Sequence, residues 1–235
     1  MKMNLKRFIP GSSLLMLCLV AISMFSLTSC RKDDTYYNYK TTAGAYNGTT
    51  YEYLQSQTGL YDSLLLVLGR VTGLADSLKT GSVTLFAANN SSFSLALQNI
   101  NQARKDSLPK VLPPVTLSTM DSTTLDMFLA RYIIPGKLAS DSLKGYTDGR
   151  MAASIRYGYN MQVQYVPTNA AGFLNGGPKA ICFSDPKNSL FVKNWVRVNT
   201  MTVDIKTSNG IVHLLPPGHD FGFGYEFIRL INQKP

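Results

Sequence analysis

The chain has 235 residues, 45% hydrophobic and only 16% charged, with a net charge of +9 at neutral pH. Its basic residues are scattered, with only short pairs such as Arg31-Lys32 and Arg104-Lys105, which argues against the clustered basic stripe of a nucleic-acid binder. Its three cysteines, Cys18, Cys30 and Cys182, are too few for a disulfide framework, so stability must come from a packed core, for which this length suffices.

The first elements are at the N-terminus. Lys2, Lys6 and Arg7 precede an apolar run over residues 14–27, a basic region and a hydrophobic region too short to span about 30 Å of hydrocarbon. The run ends in Leu27-Thr28-Ser29-Cys30, which resembles the bacterial lipobox, where the signal is cut before the cysteine and the cysteine is acylated. The resemblance implies a signal peptide over residues 1–29 and lipid on Cys30, rather than a chance cysteine after an ordinary signal or a retained membrane helix. Several acyl chains on one residue anchor firmly, since each buried CH₂ contributes roughly 0.8 kcal/mol. Cleavage would remove Lys2, Lys6 and Arg7 and no acid, taking the charge from +9 to +6. It would also leave Cys182 as the sole thiol, so no intramolecular disulfide is expected. Arg31-Lys32-Asp33-Asp34 resembles the lipoprotein export signal of the Bacteroidota, implying the outer face of the outer membrane; the alternative is a plain spacer on the periplasmic side.

Residues 30–48 are polar and tyrosine-rich without periodicity, and read as a tether before a domain over residues 49–228 and a tail over 229–235. Tyr53, Leu54, Leu60, Leu64, Leu65, Val67 and Leu68 recur at helical spacing, predicting helices over 49–56 and 59–71, with a short one around Leu74 and Leu78. Val83-Thr84-Leu85-Phe86 predicts a buried strand, and Asn89-Asn90-Ser91-Ser92 caps a following helix. Residues 101–120, with Pro109, Pro113 and Pro114, read as loop; 123–132 read as a helix ended by Pro135-Gly136. Beyond Gly149, period-two alternation predicts strands over 155–159 and 161–166, and shorter ones at 191–192, 195–198 and 201–203. Ile211-Val212-His213-Leu214-Leu215 reads as a central strand, and Phe221, Phe223, Tyr225 and Phe227 alternating with Gly222, Gly224 and Glu226 as an aromatic last strand. Helices early and strands late indicate an α+β fold.

Three stretches then line up in order: SVTLFAANNSSF (82–93), FLARYIIPGKL (128–138) and TSNGIVHLLPPG (207–218), with SLLLVLGRVTGLADSL upstream. Together they resemble the signature boxes of fasciclin-type (FAS1) domains over residues 49–220. The resemblance implies a single β-wedge or sandwich with helices packed around it, and adhesion or extracellular binding rather than catalysis. Its motif residues here are Phe86, Asn89, Phe93, Tyr132, Pro135, Gly136, Asn209, Gly210 and His213, expected to be mainly structural. Ile133 stands where the family has a histidine, so no role of that histidine carries over; Ala88 replaces a proline. Residues 101–120 and 168–190 look like added length.

Residues that could carry chemistry are sparse. His213 lies in an apolar strand, and His219, beside Asp220, has neither the spacing nor the companions of a zinc site. There is no G-x-S-x-G elbow or phosphate-binding loop, and Cys182 has no basic neighbour in sequence to lower its pKa. No enzyme, metal or cofactor is therefore expected. Tyrosines at 157, 159 and 165 offer flat faces for sugars or protein contacts, or are half-buried strand residues. Asp-Ser-Leu recurs at 62–64, 76–78, 106–108 and 141–143, with Asp121-Ser122-Thr123 related. It resembles an O-glycosylation acceptor pattern of the Bacteroidota, although Asp and Ser also start helices. The expected function is a lipid-anchored surface module binding a protein or glycan, or an accessory subunit of an outer-membrane glycan-uptake complex.

Overall fold

A computed structural model describes residues 44–107, 113–170 and 174–233, all within one compact unit. Cys30, the lipobox, the export-type signal and residues 31–43 of the tether lie outside the described residues. The first helix, α1 (Thr50–Ser56), opens with a capping box: Glu52 N–H donates to Thr49 Oγ1, and the Glu52 carboxylate accepts from Thr49 N–H. Then come α2 (Asp62–Arg70) and α3 (Leu74–Thr80), which turn Leu64, Val67, Leu68, Leu74 and Leu78 inward.

Strand β1 (Val83–Ala87) is buried at every position, as its unbroken apolar run requires. Asn89 Oδ1 then accepts from Ser92 N–H at 3.1 Å and caps α4 (Asn90–Ser107). The expected loop over 101–120 is therefore helix as far as Ser107, because its prolines fall only beyond that point and Arg104 lies on the buried face with Ile100. Helix α5 (Ser122–Ala130) ends sooner than expected, since Ile133 and Ile134 are taken into strand β2 (Ile133–Pro135).

The strands form two four-stranded sheets. The first, ordered β2-β1-β8-β7, is completed by β7 (Thr202–Lys206) and β8 (Gly210–Leu214), with β1 and β8 parallel and β8 central as expected. The second, ordered β3-β4-β5-β6, is antiparallel: β3 (Arg150–Ala153), β4 (Asn160–Val166), β5 (Ala180–Asp185) and β6 (Val196–Asn199). The sheets meet where Phe86 of β1 stacks on Phe183 of β5, ring centres 4.0 Å apart and 8° from parallel. The α+β class stands.

Three strand expectations fail for a common reason, local backbone curl. Residues 155–159 form the β3–β4 turn, because Tyr157 and Gly158 take left-handed φ angles of 65° and 58°. Phe191-Val192 sits in a loop leading into a 3₁₀ turn, Val192–Asn194. The aromatic run 221–227 is no strand: Gly222, Phe223 and Gly224 have φ of 81°, 56° and 84° and coil the chain into α6 (Tyr225–Gln233). Alternating aromatics imitated a two-residue period, while Phe227 and Ile231, one helical turn apart, are what the helix buries. Helix α6 continues past residue 228, into the segment expected as a tail.

Candidate functional site

The motif residues converge inside the fold. Phe86 touches Phe183 and His213; Tyr132 stacks on Phe221 at 5.1 Å, and Phe221 stacks on Phe93 at 4.3 Å. Phe183 also meets Tyr132, so one chain of rings links both outer boxes to the middle one. Phe183 and Phe221 lie outside the three boxes, and the two-residue alternation that predicts a strand over 221–227 hides the role of Phe221.

Each polar motif residue is committed to the backbone. Asn209 Oδ1 accepts from Thr50 N–H at 2.8 Å, while its Nδ2 donates to the carbonyls of Leu78 and Gly81 at 2.9 and 2.8 Å. It thereby pins α1 and the end of α3 to the turn before β8. The neighbouring Gly210 has no room for a side chain, since a Cβ would lie 2.4 Å from the Val83 carbonyl oxygen. His213 Nδ1 accepts from Asp204 N–H at 3.2 Å, leaving Nε2 to donate to Leu138 O at 3.0 Å. Burial lowers its pKa and favours the neutral ring that this pattern needs, against the pull of the Leu138 bond and the Asp204 charge. Asp204 lies at a bulge in β7 with φ 62°, held there as its carboxylate accepts from Ser140 N–H at 2.8 Å and from the Ser140 hydroxyl.

Tyr132 holds the second cluster. Its hydroxyl accepts from Gly222 N–H at 2.9 Å and is 2.7 Å from His219 Nε2. Donating its single hydrogen to Nε2 leaves no buried hydroxyl hydrogen unpaired and needs Nε2 unprotonated, in keeping with burial, which depresses the pKa of His219 to about 3. Ile133, at the family's histidine position, is buried in β2 opposite Leu85. A histidine there would face core, not solvent. Beside it Arg131, 3% exposed, pairs with Asp185 at 3.1 Å and Glu226 at 3.2 Å, between the rings of Phe128 and Tyr159. The Tyr159 hydroxyl also donates to Asp185. Sequence reading missed Arg131, whose charge gives no hint that it is buried.

Pro135 and Gly136 form an edge instead: Pro135 is exposed, and Gly136 N–H donates to Ser82 O at 2.8 Å. Cys182 is buried and free. Among the described residues no group of three or more His, Cys, Asp or Glu side chains is placed to hold a metal, and no helix is long and apolar enough to cross a membrane. The Asp-Ser-Leu leucines at 64, 78 and 143 are core residues, and Asp106-Ser107 ends a helix rather than starting one. Leu108 lies outside the described residues.

An open recess lies elsewhere. A cleft of about 410 Å³ is lined by Leu143, Lys144, Tyr146, Thr147, Tyr165, Pro167 and Asn175. One wall is the 3₁₀ turn Ser140–Leu143, tied to β7 through Ser140 and Asp204. The next turn is fixed to β4 by Gln162 Nε2 and Gln164 Nε2, which donate to Asp148 O and Thr147 O at 2.8 and 2.7 Å. Lys144 sits 5.5 Å from the Tyr165 ring centre. Asp141 bridges Lys144 and Lys179, and those hydrogen bonds draw its pKa down to about 2.

No protein of curated function matches the chain significantly. Among solved structures it is similar to a FAS1 domain pair from the insect cell adhesion molecule Fasciclin I, at 16% identity and a TM-score of 0.44, over 69% of this chain. The match spans 45% of that structure, less than half its length. The fasciclin domain family model matches residues 62–216, from the first residue of α2 to just past β8, and so takes in the first two boxes, the third as far as Pro216, and both sheets. The chain therefore belongs to the fasciclin domain family, whose members commonly serve as adhesion or binding modules.

Proposed function

We propose that this protein is a non-catalytic binding module, held by lipid on Cys30 at the outer face of the outer membrane, that takes a glycan in the cleft beside Tyr146 and Tyr165. The cleft carries this reading: it joins two tyrosine rings to a lysine, a threonine and an asparagine in one preformed recess. Flat rings cover the apolar faces of sugars, while amide, hydroxyl and ammonium groups satisfy their hydroxyls. The histidines and the buried ion pair, by contrast, have their partners inside the fold, which leaves them without a free proton-transfer role.

A chain beginning at Arg31 keeps every residue of the core, and glycan arrays with it test the ligand class. Retention that disappears in Tyr146→Ala, with an unchanged melting temperature, is the expected result; no retention of any glycan sinks the proposal. Labelled palmitate should enter the wild-type protein and not Cys30→Ala. Protease treatment of intact cells should remove the domain; full protection would place it in the periplasm. Recovery of a transporter after mild crosslinking would assign the glycan to an uptake complex rather than to adhesion.

A further inference from the structure

The β5–β6 connection, residues 186–195, exposes three consecutive apolar side chains. Leu190 is 95% exposed, Phe191 67% and Val192 52%. Three such neighbours would normally fold back on the protein, but this loop is held open from within. Phe191 N–H and Asn194 Nδ2 donate to Ser189 Oγ at 3.1 and 2.9 Å, and Trp195 Nε1 donates to Ser189 O at 2.8 Å. Trp195 N–H then closes the 3₁₀ turn onto Val192 O at 3.1 Å. The tip is an internally hydrogen-bonded apolar point.

Its collar is cationic. Residues 186–203 include Lys187, Lys193 and Arg197 and no acid. Lys193 Nζ lies 5.9 Å from the Phe191 ring centre, and the Arg197 guanidinium 5.3 Å from the Trp195 ring. Of the acids at the hairpin base, Asp185 and Glu226 are engaged by Arg131, and Asp220 faces Lys187, so the cations flanking the tip itself are Lys193 and Arg197.

We infer that the tip of the β5–β6 hairpin is a membrane-contact element that seats Leu190, Phe191 and Val192 in the interface of an anionic phospholipid bilayer. Aromatic and aliphatic side chains enter the boundary between headgroups and acyl chains, and the long cationic stems reach the lipid phosphates around them. A second copy docking through the same patch would set collar against collar, with like charges facing. The inference does not depend on lipid at Cys30 or on a glycan in the cleft. With an anchor present, this contact would fix the orientation of the domain on the surface.

Trp195 is the only tryptophan in the chain and lies in this loop, so its fluorescence reports the event directly. The chain from Arg31, without lipid, is mixed with phosphatidylcholine vesicles with or without phosphatidylglycerol. The expected result is a blue shift and co-sedimentation on the phosphatidylglycerol vesicles only. Partitioning should fall at least about tenfold in Leu190→Ser/Phe191→Ser, as two apolar side chains lose their transfer into the interface. Lys193→Gln/Arg197→Gln should remove the preference for anionic lipid. Both double variants change exposed side chains, and unchanged melting temperatures will confirm their fold. Absence of partitioning, or partitioning that the Leu190→Ser/Phe191→Ser chain retains, overturns the inference. Dimerisation lost in that variant would also overturn it, assigning the tip to a second copy.

Discussion

The two sheets differ in what they do with their polar and aromatic residues. In the first, β1 is buried throughout and β8 nearly so, and the polar groups of Asn209 and His213 end on backbone atoms. In the second, β5 is buried but β3 and β6 stand largely in solvent, and aromatic side chains face outward around the cleft and at the hairpin tip. The recognisable boxes thus build a scaffold. The surfaces able to meet a ligand lie mostly on segments that carry no box, including part of the added length over 168–190.

The most direct way to break this contrast is to truncate one aromatic from each region. Phe86→Ala should destabilise by about 3–5 kcal/mol in urea unfolding, through lost burial and a cavity between the sheets. Phe191→Ala, on the hairpin tip, should change stability by no more than about 0.5 kcal/mol. Equal effects would erase the distinction. Arg131→Leu belongs with the large effects, at about 3–5 kcal/mol, because it leaves the Asp185 carboxylate buried without its cation. Adding Asp185→Leu should recover part of that loss, and denaturation of the double variant measures how much.

Tyr132→Phe sharpens the comparison at the level of one atom. It leaves Gly222 N–H and His219 Nε2 buried without a partner and should cost about 1–3 kcal/mol. pH gives a related test. His219 titrates near 6.5 when unfolded and near 3 when folded, so between those values the unfolded chain binds more protons. Stability should therefore fall as pH drops through that window, and be fully present above 6.5. The contribution of His219 approaches about 1.4 kcal/mol per pH unit. His213, lowered by the same burial, adds to the slope in the same direction. Urea midpoints for wild type and His219→Gln should converge as pH falls; parallel curves would show that the ring is protonated in the folded state. The smallest expected effect is Tyr146→Ala, within about 0.5 kcal/mol of wild-type stability, with its consequence confined to ligand binding.

How much was legible depends on the scale of the cause. Thr49 with Glu52 and Asn89 with Ser92 cap their helices through neighbours a few residues away, and such pairs can be read along the chain. The short β-branched run at 83–86 reads as a buried strand, and is one. By contrast, Phe221 to Phe227 satisfied a strand period, and only the successive left-handed residues at 222–224 made the segment a coil and a helix. Arg131 could not be recognised as buried, because its partners, Asp185 and Glu226, are 54 and 95 residues away. The same holds for Tyr132 and His219, separated by 87 residues. Every motif residue was locatable in sequence, but the cleft was not, since its lining comes from three separated segments.

The sequence by itself determined the family, the α+β class, the strands β1 and β8 and the starts of the early helices, because spacing, capping and apolar runs act between near neighbours; the buried strand β5 and the start of α6 were not legible there. Tertiary structure alone decided which charged and polar residues go inside, which aromatics stay out, and where a recess opens. Those outcomes follow from the packing of one sheet on the other and from hydrogen bonds between distant segments. A side chain's chemistry does not reveal whether its partner will be water or another part of the chain.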